Sequence, residues 1–118
     1  MNSDDVIRVR HMADAALEEI QFAAGRTRAD LEIDRMLVRA LTKDIEIVGE
    51  AAARVTLETR QANPSIPWQS IVTMRNRLIH GYFDIDLDTV WSTVTEDLPP
   101  LLSELRNILP KTELHPIA

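Results

Sequence analysis

The side chains best suited to chemistry lie in one short stretch, residues 75–82, which reads Arg-Asn-Arg-Leu-Ile-His-Gly-Tyr. It belongs to a window, residues 59–83, that contains no Asp or Glu. Arg75 keeps its charge at any accessible pH and can bind phosphate, while His80 can exchange a proton near neutral pH. A regular helix would separate these two residues by roughly 140°. They share one site only if the helix end turns His80 outward or a second copy of the chain contributes, with Tyr82 at the mouth of that site.

The same residues also have a structural interpretation, and the spacing leaves it open. Arg75 follows Ile71 by four residues and Val72 by three, which predicts that it projects from the apolar face of its helix. A guanidinium in that position must be paired or stacked. A histidine at a helix end can cap backbone carbonyls, and an aromatic residue after a glycine can pack into a core.

Most other kinds of site are disfavoured by composition. The chain has no cysteine, so disulfides, thiolate zinc sites and cysteine nucleophiles are excluded. His11 and His115 have no second histidine at the three- or four-residue spacing of helix-borne metal sites. Glycine-rich phosphate loops are also missing. We therefore expect no metal and no cofactor.

Length and charge restrict the class of protein. With 118 residues, the chain fits one domain, which we predict over residues 1–110, followed by a flexible tail at 111–118. No apolar run reaches the ~18 residues of a membrane span, and the N-terminus does not resemble a signal peptide, so a cytoplasmic location is expected. The net charge of −6 disfavours non-specific binding of nucleic acid.

The elements that position the candidate residues are predicted to be helical, because apolar residues recur at three- and four-residue steps and only three glycines are present. A first helix is expected to be capped by Ser3 or Asp4 and to end at Gly25. A second segment spans residues 27–59, with Ile33 on its inner face. Its length predicts a break near one of two residues, Asp34 or Gly49.

A third helix is predicted from Pro67 to Gly81, since proline fits a first turn and glycine a helix end. It would carry Arg75. Asp86 is expected to cap the last helix, which Pro99 and Pro100 should bend or restart. These patterns together predict an all-α fold, an antiparallel bundle of four or five helices.

The motif Arg75-x-x-x-x-His80-x-Tyr82, with Asn76 after the arginine, resembles the signature of the HEPN superfamily. It is most similar to the HepT branch, the toxin of HepT–MntA toxin–antitoxin pairs. The resemblance covers nearly the whole chain. It includes three further segments in the same order: Arg10-His11-Met12, Gly49-Glu50 and Ile66-Pro67-Trp68.

This resemblance implies a metal-independent endoribonuclease toxin whose active site forms at a homodimer interface. It also implies a minimal nucleotidyltransferase antitoxin that attaches AMP to Tyr82. In such a site His80 would transfer the proton and Arg75 would bind the phosphorane charge, while Asn76 orients the histidine or ribose and Arg77 steers the RNA backbone. The alternative is a non-catalytic subunit that binds a nucleotide or substrate for a nucleotidyltransferase complex.

Overall fold

The computed structural model describes residues 1–79 and 84–111, and every regular element in these ranges is helical. This confirms the predicted all-α bundle. Within the same ranges, no helix combines the length and apolar character needed to cross a membrane. The α-helices are α1 (Ser3–Ala23), α2 (Asp30–Ile33), α3 (Arg35–Ala53), α4 (Leu57–Ala62), α5 (Trp68–Val72), α6 (Met74–Leu78), α7 (Leu87–Ser92) and α8 (Leu98–Ile108).

Helices α1 and α3 run antiparallel and form the centre of the bundle. Their orientation follows from Asp5, near the start of α1, whose carboxylate accepts hydrogen bonds from Thr56 just beyond the end of α3. Helix α8 packs against α1, and α5 and α6 pack against α3. The largest fully buried apolar side chains form one cluster between these elements: Met12, Leu41, Ile45, Ile66, Leu78, Leu98 and Leu105.

The predicted cap of α1 is wrong by one or two residues. The Oδ1 of Asn2 accepts a hydrogen bond from the Asp5 amide at 2.7 Å, so Asn2 is the cap, and Ser3 and Asp4 already belong to the helix. Asparagine, aspartate and serine cap about equally well, and propensity therefore cannot choose among neighbours. Gly25 does follow the helix, with a φ of 73° that favours glycine.

The second segment breaks at Asp34, one of the two predicted positions. Its Oδ1 accepts a hydrogen bond from the Leu37 amide and caps α3. Gly49 lies within a continuous helix. The placement of Ile33 on the inner face is wrong, because this side chain is 82% exposed. Because the chain breaks at Asp34, α2 does not continue the buried face of α3. Leu31, and not Ile33, is the buried residue of α2.

The third helix is shorter than predicted and is interrupted. It begins after Pro67, breaks at Thr73 between α5 and α6, and ends at Leu78 rather than at Gly81. Ile79 has an extended backbone and pairs with Ile85 in an isolated antiparallel bridge. Gly81 itself lies outside the described residues.

The last helical segment begins as predicted, since Asp86 accepts a hydrogen bond from the Thr89 amide at 3.0 Å. A π-helical segment, Thr93–Asp97, then leads into α8. Pro99 and Pro100 fall in the first turn of α8, directly after the π-helical segment, and the backbone stays helical from residue 87 to residue 108. The prolines therefore do not restart the helix; the hydrogen-bond pattern changes just before them. Most of the predicted tail, residues 112–118, lies outside the described residues.

Candidate functional site

Arg75 lies on the surface of α6, with 55% of its side chain exposed. Its Nε donates a hydrogen bond to Oε1 of Glu46 on α3 at 3.1 Å. The prediction that Arg75 projects from an apolar face is wrong. The buried residues Ile71, Met74 and Leu78 keep the three- and four-residue spacing of one helix face across Thr73, and Arg75 lies beside that face and turns outward. An exposed arginine is free to meet a ligand, whereas a buried one would be committed to the core.

The other candidate residues of this stretch fall into two groups. Asn76 and Arg77 are exposed on α6, and Nη2 of Arg77 donates a hydrogen bond to the Ser70 carbonyl at 3.3 Å. His80 and Tyr82 lie outside the described residues. The distance from Arg75 to either of them therefore remains a prediction.

The residues that precede and follow 80–83 are paired through their backbones. Ile79 pairs with Ile85, and the Asp86 amide donates a hydrogen bond to the Leu78 carbonyl at 2.7 Å. The residues that flank the undescribed segment are thus paired with each other. This pairing lies at the end of α6, the helix that holds Arg75.

A cavity of about 540 Å³ opens beside this bridge. Glu46, which binds Arg75, lies on one wall, and Ile79 lies on another. Arg75 does not itself line the cavity but is bonded to Glu46, which does, and Ile79, the residue before His80, is a lining residue. The wall that α3 provides consists of Arg35, Val38, Arg39, Thr42, Lys43 and Glu46. The remaining lining residues are Leu31, Ile79, Asp84, Ile85 and Leu87.

Three cations on this wall were not identified from the sequence. Arg35, Arg39 and Lys43 follow one another at four-residue steps, which places them on one face of α3. All three are exposed. The four-residue spacing was visible in the sequence. Only the structure shows that this face borders a cavity, and that Glu46 on the same wall binds Arg75, 29 residues away in the sequence.

A second group missed at the sequence level is acidic and buried. Glu19 on α1 is fully buried, and neither of its carboxylate oxygens has a hydrogen-bond partner among the described residues. Burial, together with the nearby Asp44 and Glu18 carboxylates, raises the pKa of Glu19 to about 9. Burial and a hydrogen bond with Glu18 raise the pKa of Asp44 to about 7. Glu19 occupies a core position of α1, which indicates a structural group.

No cluster of three or more His, Cys, Asp or Glu side chains in residues 1–79 and 84–111 is arranged to hold a metal ion. His11 is exposed, as its place on the polar side of the first helix predicts. It lies beside a smaller cavity of about 120 Å³ with Arg54 and Glu50. What the described residues do offer is an exposed row of cations next to an exposed arginine, an arrangement suited to phosphate groups.

Residues 12–108 match the family described as "Ribonuclease HepT-like". A protein of Caldanaerobacter subterraneus subsp. tengcongensis that is named as an RNase is 33% identical over 80% of this chain and 88% of its own length. A Thermococcus cleftensis protein named as a ribonuclease HepT is 34% identical over 67% of this chain and 72% of its own. A Methanocaldococcus jannaschii protein, also named as an RNase, is 33% identical over 78% of this chain and 84% of its own. No solved structure matches the chain significantly.

Proposed function

The chain belongs to the HepT-like ribonuclease family, and from this premise we propose that it is an endoribonuclease that cleaves single-stranded RNA without a metal ion. One observation carries the proposal. Arg75 is exposed and bonded to Glu46, and Glu46 lines the same cavity as Ile79, the residue that precedes His80. Both side chains of the motif are therefore proposed to act at this end of the bundle.

The proposed reaction uses the substrate's own nucleophile. The ribose 2′-oxygen forms a bond to the adjacent phosphorus, and the bond from phosphorus to the 5′-oxygen breaks. The 2′-hydroxyl loses a proton, the leaving 5′-oxygen gains one, and the products are a 2′,3′-cyclic phosphate and a 5′-hydroxyl. His80 transfers the proton, and the Arg75 guanidinium stabilises the additional negative charge on the phosphorane oxygens.

The remaining motif residues have supporting roles in this proposal. Asn76 orients the imidazole or the ribose, and Arg77 contacts the RNA backbone. Both are exposed on the same short helix as Arg75, which is compatible with contact to one bound strand. These roles rest on the family resemblance together with that exposure.

We also propose that the active site is completed in a homodimer. The expectation of a regular helix that separates Arg75 from His80 no longer supports this, because α6 ends at Leu78. The proposal now rests on the resemblance and on the exposure of Arg75, which leaves the guanidinium accessible to a second copy.

Regulation is proposed to follow the same family pattern. The chain would act as the toxin of a toxin–antitoxin pair, and a cognate nucleotidyltransferase would transfer AMP from ATP to the Tyr82 hydroxyl, with release of pyrophosphate. The added phosphate would repel RNA, and the adenosine would fill the space at the site. Mass spectrometry of the peptide that contains Tyr82, after incubation with the partner and ATP, tests this step, with Tyr82→Phe as the control.

The activity is tested by cleavage of single-stranded RNA in the presence of EDTA. We expect the wild type to cut, and Arg75→Ala and His80→Ala to lose about 100-fold or more, as expected for groups that act on the transition state. Arg75→Lys should remain impaired, because an ammonium cannot form the planar two-point contact. Arg106→Ala on α8, an exposed arginine that does not line the cavity, serves as the control.

Three outcomes would contradict parts of the proposal. If Arg75→Ala and His80→Ala fold and keep full activity, Arg75 and His80 are not catalytic residues. Loss of wild-type activity in EDTA would indicate a metal-dependent reaction. RNA binding without cleavage by the wild type would favour the alternative, a non-catalytic subunit that binds a nucleotide or substrate for a nucleotidyltransferase complex.

A further inference from the structure

The row of cations on α3 has no structural role within the described part of the chain. Arg35, Arg39 and Lys43 span eight residues, or about 12 Å along the helix axis. None of the three forms a hydrogen bond or ion pair with another residue in 1–79 or 84–111. They therefore present their full charge to the cavity that they line.

Other arginines of the chain are used differently. Arg26 binds Asp34 at 2.7 Å, and Arg28 binds Asp88 at 2.7 Å. Arg60 donates hydrogen bonds to the carbonyls of Val55 and Ala52, at 3.1 and 2.9 Å. These contacts connect or cap helices. The α3 row has no comparable internal use.

The three cations of the row also destabilise α3 itself. Like charges four residues apart repel each other along a helix face, and the row contains two such pairs. Arg35 lies in the first turn, where the partial positive charge of the helix terminus disfavours a cation. A bound anion would relieve both effects.

The cavity contains apolar surface as well as charge. Leu31, Val38, Ile85 and Leu87 line it together with the cations. Two carboxylates also line the cavity, Glu46, which is bonded to Arg75, and Asp84; neither forms an ion pair with the row, and the three cations outnumber them. These four apolar residues form the floor of the cavity, and the three cations line one side of it. A single nucleotide strand has matching parts, because it combines a charged backbone with bases that can leave the stack.

We propose that the α3 row binds the phosphates of single-stranded RNA next to the cleavage position, with one unstacked base against the apolar floor of the cavity. Glu46 follows Lys43 on α3 and is bonded to Arg75, so the row and Arg75 belong to neighbouring parts of one surface. A duplex would keep its bases stacked and could not fill the floor. This inference rests on the proposed ribonuclease function and names the surface that holds its substrate.

The test is a binding measurement that does not require cleavage. A single-stranded RNA oligonucleotide with 2′-O-methyl groups in place of its 2′-hydroxyls cannot be cut by attack of those groups. Its affinity is measured over a series of salt concentrations for the wild type and for the triple variant Arg35→Gln, Arg39→Gln, Lys43→Gln. A matched triple variant changes three exposed cations that do not line the cavity: Arg54, Arg106 and Lys111.

We expect the α3 variant to lose roughly tenfold or more in affinity at low salt, and its slope of log K against log salt to become shallower by about 2, which corresponds to three phosphate contacts on a single strand. The control variant should retain most of the affinity and slope. Circular dichroism verifies that both variants are folded.

Two results would overturn the proposal. An α3 variant with the wild-type affinity and salt slope would show that the row does not contact RNA. Equal losses in the two triple variants would show that net charge is responsible, and not this surface. Failure of the ribonuclease function itself is recognised separately, as binding of the uncleavable RNA without cleavage of the natural RNA in EDTA.

Discussion

At the scale of single residues, Glu19 departs furthest from the ordinary behaviour of its type. It is fully buried on α1, and its two oxygens have no hydrogen-bond partner among the described residues. Burial, with the added repulsion of Asp44 and Glu18, raises the pKa of Glu19 to about 9. The carboxyl is therefore neutral at pH 7, and a neutral acid costs far less to bury than a carboxylate.

Replacement of Glu19 by glutamine should change how stability depends on pH. Glu19 in the unfolded chain ionises near its ordinary value of 4.5, whereas in the folded chain it stays protonated to about pH 9. The folded state thus binds one more proton between these values, and the free energy of unfolding falls by about 1.4 kcal/mol per pH unit from this group alone. This loss of unfolding free energy is absent below pH 4.5, grows as the pH rises, and is complete above pH 9.

Urea unfolding of Glu19→Gln at pH 5 and pH 8 measures this effect. We expect the variant to gain stability over the wild type as the pH rises, by about 3 kcal/mol or more between the two values, with little difference at pH 5. Glu96→Gln, which changes an exposed carboxyl, should follow the wild type. If the free energies of unfolding of Glu19→Gln and the wild type change equally between pH 5 and pH 8, Glu19 is ionised in the folded protein.

Some residue-level predictions succeed because their causes are local. Asp86 caps α7 through an amide three residues away, and this geometry is encoded in adjacent sequence. The partner of Arg75 is Glu46, 29 residues earlier on another helix, and no local pattern could identify it. The buried carboxyl of Glu19 is likewise set by tertiary packing.

At the scale of elements, Gly49 permits close contact between α3 and the helix before Arg75. A Cβ at this position would lie 3.1 Å from the Ile71 carbonyl oxygen and 3.6 Å from that of Val72. The end of α5 therefore approaches the backbone of α3 at a point where only hydrogen fits comfortably. This contact fixes the position of the following α6 and, with it, Arg75.

We expect Gly49→Val to destabilise the protein by about 1–3 kcal/mol, because the side chain must displace a backbone carbonyl in a packed interface. Helix propensity slightly favours valine over glycine and cannot explain such a loss. Ala53→Val, at an exposed position of the same helix, places a valine where no carbonyl opposes it and should cost a few tenths of a kcal/mol. Thermal or chemical unfolding of both variants provides the comparison. Equal stability of the two would show that α5 moves away from α3 at little cost.

Sequence patterns identified which segments are helical but not every break between them. The break at Asp34 carries a local signal, a capping side chain, and the change from the π-helical to the α-helical pattern lies directly before the two prolines. The break at Thr73 carries neither glycine nor proline, so no local signal predicts it. The exposure of Arg75 has a different reason: Ile71, Met74 and Leu78 are the buried residues, at three- and four-residue steps, and Arg75 falls beside that stripe.

At the scale of the whole molecule, charge bears on the proposed homodimer. Each copy has a net charge of −6, and two copies repel each other over distances that salt shortens. At physiological ionic strength the screening length is about 8 Å, so only charges near the interface contribute. Association should therefore weaken at low ionic strength.

Light scattering over a dilution series should give twice the 13.4 kDa mass of one copy at high concentration. Specific ribonuclease activity should fall together with the dimer fraction, because the proposed site requires both copies. At low ionic strength the dimer should dissociate at a higher protein concentration than it does at physiological ionic strength. Constant specific activity from a demonstrated monomer would contradict the composite site while leaving the roles of Arg75 and His80 intact.

The bridge between Ile79 and Ile85 has a consequence for observing this site in solution. The Asp86 amide is held by the Leu78 carbonyl at 2.7 Å, so it exchanges its hydrogen with solvent only when that pairing opens. Its exchange rate in deuterated water reports the free energy of opening this pairing between residues 78–79 and 85–86. A ligand that stabilises the pairing would slow the exchange of a single backbone signal, and no side chain would need to be altered to detect it.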